Sequence, residues 1–145
     1  PMAGYSGKSV VQKLGIKPGF RVFVDGAPAT YAEVVGELPD DVALAARLKA
    51  PLDMAHVFAT QAASLRKKLA ACREAIAPDG MVWVSWPKRS SGVATDVTED
   101  VVRNTALSLG LVDIKVCAID DTWSGLKLVI PRDQRKMSAP ARRAK

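Results

Sequence analysis

Thr60-Gln61-Ala62-Ala63-Ser64-Leu65-Arg66-Lys67-Lys68-Leu69-Ala70-Ala71-Cys72-Arg73-Glu74-Ala75-Ile76-Ala77-Pro78-Asp79-Gly80-Met81-Val82-Trp83-Val84-Ser85-Trp86-Pro87 is the stretch that decides the fold. Ala62, Leu65, Leu69, Cys72 and Ile76 recur at three- and four-residue steps, which places them on one face of a helix. Thr60 stands where a cap for that helix belongs. Arg66, Lys67, Lys68, Arg73 and Glu74 fall off the stripe and read as a solvated face. Pro78-Asp79-Gly80 predicts a turn, and residues 81–86 form an apolar run of strand length, with Trp83 in the core.

The same grammar extends in both directions. Upstream, Ser6 is placed to cap a short helix with Val10, Val11 and Leu14 inside and Gly15 at its end. Residues 20–24 then read as a first buried strand, 30–38 as a brief helix, 42–48 as a strand, and 54–59 as a central strand. Downstream, Asp96 with Glu99 three residues later predicts a capping box for a helix carrying Val102, Ala106 and Leu109 and ending at Gly110. Residues 112–119 and 126–130 are the last strands, and Asp120 to Gly125 joins them as a hairpin loop. Alternation of strand and helix followed by a hairpin predicts an α/β fold: a Rossmann-like three-layer sandwich with a mostly parallel sheet of five or six strands and a C-terminal antiparallel hairpin.

The 145 residues suffice for a single domain, assigned to 1–131. The net charge of +6 is unevenly placed. From Arg132 onward six basic residues meet one acid, whereas the preceding residues carry fifteen basic and fourteen acidic ones. Residues 132–145 therefore read as a basic, disordered tail, and the nearly neutral body argues against a nucleic-acid groove. No apolar run approaches the roughly 18 residues of a membrane helix. No hydrophobic signal segment precedes Val10, so the expected location is the cytoplasm. Cys72 and Cys117 lack metal-ligand spacing and read as buried thiols.

Leu14-Gly15-Ile16-Lys17-Pro18-Gly19-Phe20-Arg21-Val22 resembles the entry to the first strand of Rossmann-like methyltransferases. Ala75-Ile76-Ala77-Pro78-Asp79-Gly80-Met81-Val82-Trp83-Val84 is similar to the helix, turn and fifth strand of that fold, and Gly110-Leu111-Val112 suits its last strands. The resemblance covers most of residues 14–130 and implies S-adenosylmethionine as coenzyme. The chain, through Trp83-Val84-Ser85-Trp86-Pro87-Lys88 and Asp120-Asp121-Thr122-Trp123-Ser124-Gly125-Leu126-Lys127, also resembles a small bacterial family of unknown function, which implies no activity. Against the methyltransferase pattern, the loop after the first strand offers Gly26 alone, followed by Ala27 and Pro28, where backbone must approach a coenzyme. The second strand runs into Arg47-Leu48-Lys49 rather than an acid for the ribose hydroxyls. Only about thirty residues separate the first strand from Met54, too few for a full βαβ half. No cofactor is therefore expected.

Open α/β sheets bind ligands beyond the carboxyl ends of their strands. The residues that follow those ends form a candidate ligand-binding rim: Asp25, Thr60, Trp86, Lys88, Arg89, Ser90, Asp120, Asp121 and Trp123. Lys88 and Arg89 beside Ser90 suit a small anionic ligand through charge-assisted hydrogen bonds, and Trp86 or Trp123 suits a planar body. Each also has a structural explanation, as sheet cap, helix cap or loop acid. Gly7-Lys8-Ser9 lacks the earlier glycine and the strand of a P-loop, since Met2 stands where that glycine belongs. His56, the sole histidine, sits mid-strand among apolar neighbours and reads as a hydrogen-bonded core residue. No catalytic motif and no metal site is recognisable. The expected function is a non-catalytic module binding a small anionic ligand or a protein partner. The alternatives are an enzyme with Lys88 or Arg89 on the substrate and Asp25 or Asp120 as base, and weak nucleic-acid association through the tail. A sheet edge beside residues 42–48 invites a second subunit.

Overall fold

Helix and strand from the deciding stretch pack directly on each other. The structure, a computed structural model, describes residues 8–135. In chain order the elements are α1 (Val10–Leu14), β1 (Arg21–Asp25), α2 (Tyr31–Val35), β2 (Ala43–Ala45), β3 (Leu52–Phe58), α3 (Ala62–Ala75), β4 (Ile76–Pro87), α4 (Glu99–Ser108), β5 (Val112–Ala118) and β6 (Trp123–Val129). Short 3-10 turns occupy Arg89–Ser91 and Arg132–Gln134. The six strands lie in the order β2-β1-β3-β4-β6-β5. The first four are mutually parallel, and β6 runs antiparallel to both β4 and β5. This is the mostly parallel Rossmann-like sheet with its antiparallel hairpin. The expected tail begins with an ordered turn, and residues 136–145 lie outside the described residues.

Both faces of the sheet are covered. Leu65, Leu69 and Cys72 from α3 and Val102 and Ala106 from α4 bury against Ala55, Val57, Val82 and Val84. On the other face, Val11 and Leu14 of α1 and Tyr31 and Val35 of α2 bury against Met54, Phe58 and Trp83. The thirty-residue gap noted in the sequence is bridged by economy. The helix between β1 and β2 has five residues and β2 has three. Residues 46–51 then pass beside β1, with Leu48 packed against the α3 face, to reach the start of β3. Six residues can reach at most about 20 Å, enough to pass so short a strand without a crossover helix.

Several local expectations need correction. Ser9 caps α1, with its hydroxyl accepting the Gln12 N–H and the Gln12 side chain accepting the Ser9 N–H; Ser6 lies outside the described residues. Gln61, not Thr60, is the N-cap of α3. Asp96 does not cap α4. Thr98 does, accepting the Val101 N–H, while Asp96 Oδ1 accepts the Ala62 N–H at 2.7 Å and so serves α3 instead. Pro78-Asp79-Gly80 is not a free turn but a bulged part of β4, pairing Leu52 with Ile76 and Met54 with Met81. A Cβ on Gly80 would meet three backbone carbonyl oxygens at 3.0 Å, so any other residue in this bulge would have to displace backbone by a few tenths of an ångström. The strand expected over 42–48 is confined to Ala43–Ala45.

Candidate functional site

Sheet parity divides the expected rim in two. β4 and β6 pair with Pro87 opposite Trp123 and Trp86 opposite Ser124. Directly opposed residues share a face, so Trp86 and Trp123 point to opposite faces. Trp86 joins the α3/α4 side of the core, and Trp123 joins the α1/α2 side, edge-on to Phe58 at 5.3 Å. The aromatic pair anticipated from the sequence does not form.

Trp86 opens onto a cleft of about 610 Å³ at the carboxyl end of β4. Its walls are Pro87, Arg89, the 92–95 loop, Val97 and Thr98. That loop is laced down from both sides. Ser91 Oγ donates to the Lys88 carbonyl and accepts the Val93 N–H. Thr95 Oγ1 donates to the Thr60 carbonyl at 2.7 Å and accepts the Val97 N–H. The Thr98 cap places the start of α4, with its partial positive charge, at the cleft wall. Arg89 is exposed at the mouth.

Of the nine expected residues, Trp86 and Arg89 line this cleft. Thr60 supports its wall through its carbonyl. Lys88 is not part of the lining, and its backbone N–H donates to the Thr122 carbonyl at 2.7 Å, fastening the loop after β4 to the β5–β6 hairpin. Ser90 and Asp121 are exposed and outside the cleft. Asp120 Oδ1 accepts the N–H groups of Thr122 and Trp123 at 2.8 and 2.7 Å, which shapes the hairpin turn. Asp25 pairs with Lys68 of α3 at 3.3 Å. Both carboxylates needed as base by a rim enzyme thus have structural partners and stand outside the cleft.

The buried polar chemistry lies on the other face. His56 Nδ1 is 2.6 Å from the Tyr31 hydroxyl, and His56 Nε2 is 2.7 Å from Ser85 Oγ. His56 and Ser85 are fully buried. Burial pushes the His56 pKa down to about 3 and raises that of Tyr31. His56 is therefore neutral at pH 7 and stacks on Phe58 at 4.3 Å. A nucleophile–base pair is present by distance, yet substrate has no path to a serine with no exposed surface. The core role expected of His56 stands; Tyr31 and Ser85, its partners, carry no motif that sequence reading would find. Among the described residues no group of His, Cys, Asp and Glu side chains would hold a metal ion, and no helix is long and apolar enough to cross a membrane.

S-adenosylmethionine, the coenzyme implied by the resemblance, would occupy the crevice where strand order reverses, between the carboxyl ends of β1 and β3. The residues there do not fit it. A Cβ on Gly26 would stand 2.9 Å from the Phe58 carbonyl oxygen, so the loop after β1 already rests on the end of β3. The end of β2 leads to Arg47 in place of an acid, and Asp25 is held by Lys68.

No family model and no curated protein matches the chain. Solved structures do match in fold. A SAM-dependent methyltransferase from Aquifex aeolicus is similar over 83% of this chain and 87% of its own, with 16% identity and a TM-score of 0.56. Magnesium protoporphyrin IX methyltransferase from Synechocystis PCC 6803, solved with bound SAM, is similar over 83% and 76%, with 10% identity and a TM-score of 0.55. A putative methyltransferase from Thermoplasma acidophilum is similar over 84% and 73%, with 7% identity and a TM-score of 0.54. The chain is built on a methyltransferase-like Rossmann scaffold.

Proposed function

We propose that this protein is a non-catalytic binding module on that scaffold, taking a small ligand with a planar body and an anionic group in the cleft over Trp86. The observation that carries this reading is the cleft itself, at the edge of the sheet where such folds bind ligands, with the mostly buried Trp86 in its lining and a guanidinium at its mouth. An indole face gives a planar ligand contact area with little conformational cost. Arg89 favours negative charge at the opening. The engagement of Asp25 and Asp120 elsewhere supports binding without catalysis, and the lone Gly26 packed beside Phe58 and the missing acid after β2 support the absence of a coenzyme.

The test uses a matched pair of probes, 2-naphthoate and 2-naphthol, titrated calorimetrically into the full chain. Saturable binding of both is expected, tighter for the carboxylate. Arg89→Gln should remove that preference and Trp86→Leu should abolish binding of both. Absence of saturable binding, or affinity unchanged in Trp86→Leu, overturns the reading.

A further inference from the structure

The opposite end of the sheet holds a second cavity, of about 430 Å³, at the amino ends of β1, β3 and β4. Its floor is backbone at Gly15 and Gly80, and Phe20 and Met81 form an apolar wall. Lys17 and Lys127 supply cations to its lining. Lys127 is half-buried inside β6, and its partner across the strand pair is Lys115. Like charges directly opposite in a sheet destabilise it. Lys115 resolves its side of the conflict by donating to the Lys13 carbonyl at 2.8 Å. Lys127 and Lys17 make no side-chain hydrogen bond or ion pair among the described residues. Burial, Lys115 and Lys17 together press the Lys127 ammonium below its ordinary pKa. Two carboxylates, Asp53 and Asp79, share the lining. Asp53 accepts the Arg21 N–H at 2.8 Å, and both Asp53 and Asp79 already have partners.

Half-burying an unpaired lysine opposite another lysine works against the sheet electrostatically. Breaches of local consistency of this kind belong to functional sites. We propose that this cavity binds a small organic carboxylate, its anionic group between Lys127 and Lys17 and its apolar chain against Phe20 and Met81. The ammonium at Lys127 then gains a charge-assisted partner, and the Lys115–Lys127–Lys17 repulsion is offset. The site is independent of the cleft over Trp86, since the two lie at opposite ends of β4.

The probe is hexanoate, with hexanol as its uncharged counterpart, followed by amide chemical shifts of the full chain at pH 7. Hexanoate should shift the Gly15, Gly80 and Lys127 amides saturably, and hexanol should not. Lys127→Gln should weaken hexanoate at least tenfold, Lys17→Gln several-fold, and Lys127→Arg should retain it. Trp86→Leu and Arg89→Gln should leave it unchanged, which separates this site from the cleft. Equal binding of hexanol, or shifts clustered at Trp86, overturns the proposal. So does affinity unaffected by both lysine-to-glutamine changes. If Lys127→Gln does not fold, the hexanol comparison and Lys17→Gln decide.

Discussion

The two faces of the sheet are closed by different chemistry. On one, α3 and α4, fourteen and ten residues long, press aliphatic side chains onto Val57, Val82 and Val84. On the other, α1 and α2 have five residues each, far below the length at which a helix persists unaided. Each short helix is fixed to the sheet by a buried directional bond. The Trp83 indole N–H donates to the Leu14 carbonyl at 3.0 Å and holds α1. The Tyr31–His56–Ser85 chain holds α2. Long helices are held by area, and short ones need a polar tie as well.

Substitutions on the two faces should therefore differ in kind. Leu69→Ala, at a position with no exposed surface, is expected to cost about 2–5 kcal/mol in chemical denaturation, with the same loss at pH 7 and pH 4. A cost that varied with pH would contradict a purely apolar face. His56→Phe strands the Tyr31 and Ser85 hydroxyls, at about 1–3 kcal/mol for each group left buried without a partner. It should also remove a pH dependence.

The sign of that dependence follows from burial. Folded His56 stays neutral down to about pH 3, while the unfolded imidazole takes up a proton below about 6.5. The unfolded state then binds more protons in this window, so stability is full above 6.5 and falls as pH drops toward 3. The slope from this one group is about 1.4 kcal/mol per pH unit. Denaturation midpoints of wild type and His56→Phe should converge on acidification across the window. Parallel curves would refute a neutral buried imidazole.

Smaller effects test the loop that builds the cleft. Asp96→Ala removes the acceptor for the Ala62 N–H and should cost about 1 kcal/mol, read by thermal unfolding. A negligible change would mean that the 92–98 loop is not fastened to α3 by this bond. Asp25→Asn breaks only a partly exposed pair with Lys68, so the expected change is below about 1 kcal/mol and shrinks in salt. A larger loss would assign Asp25 more than an ion pair.

The α3 stripe, the strand at 81–86 and the burial of Trp83 were legible because periodicity reports burial directly. His56 was legible as a core residue for the same reason, whereas Ser85 and Tyr31 became its partners only through strand register and the placement of α2. Pro78-Asp79-Gly80 carries a strong local turn signal, but pairing with Leu52 drew it into β4. The expectation that Asp96 caps α4 fails because Thr98 takes that place, and the Asp96 carboxylate instead accepts an N–H from a residue 34 positions away, a pairing that local sequence does not display. The expected rim residues do follow the carboxyl ends of the parallel strands or lie beside them. Their division into two faces depends on the β4–β6 register, which sequence does not display.

The methyltransferase-like scaffold carries a single glycine, Gly26, after β1 and Arg47 in place of an acid after β2, and these two features are expected to exclude S-adenosylmethionine. Isothermal titration of the full chain with S-adenosylmethionine tests this most directly. The lone Gly26 beside Phe58 and the absent acid after β2 predict no saturable heat at micromolar ligand concentrations. A micromolar dissociation constant that is lost in Gly26→Val would contradict it.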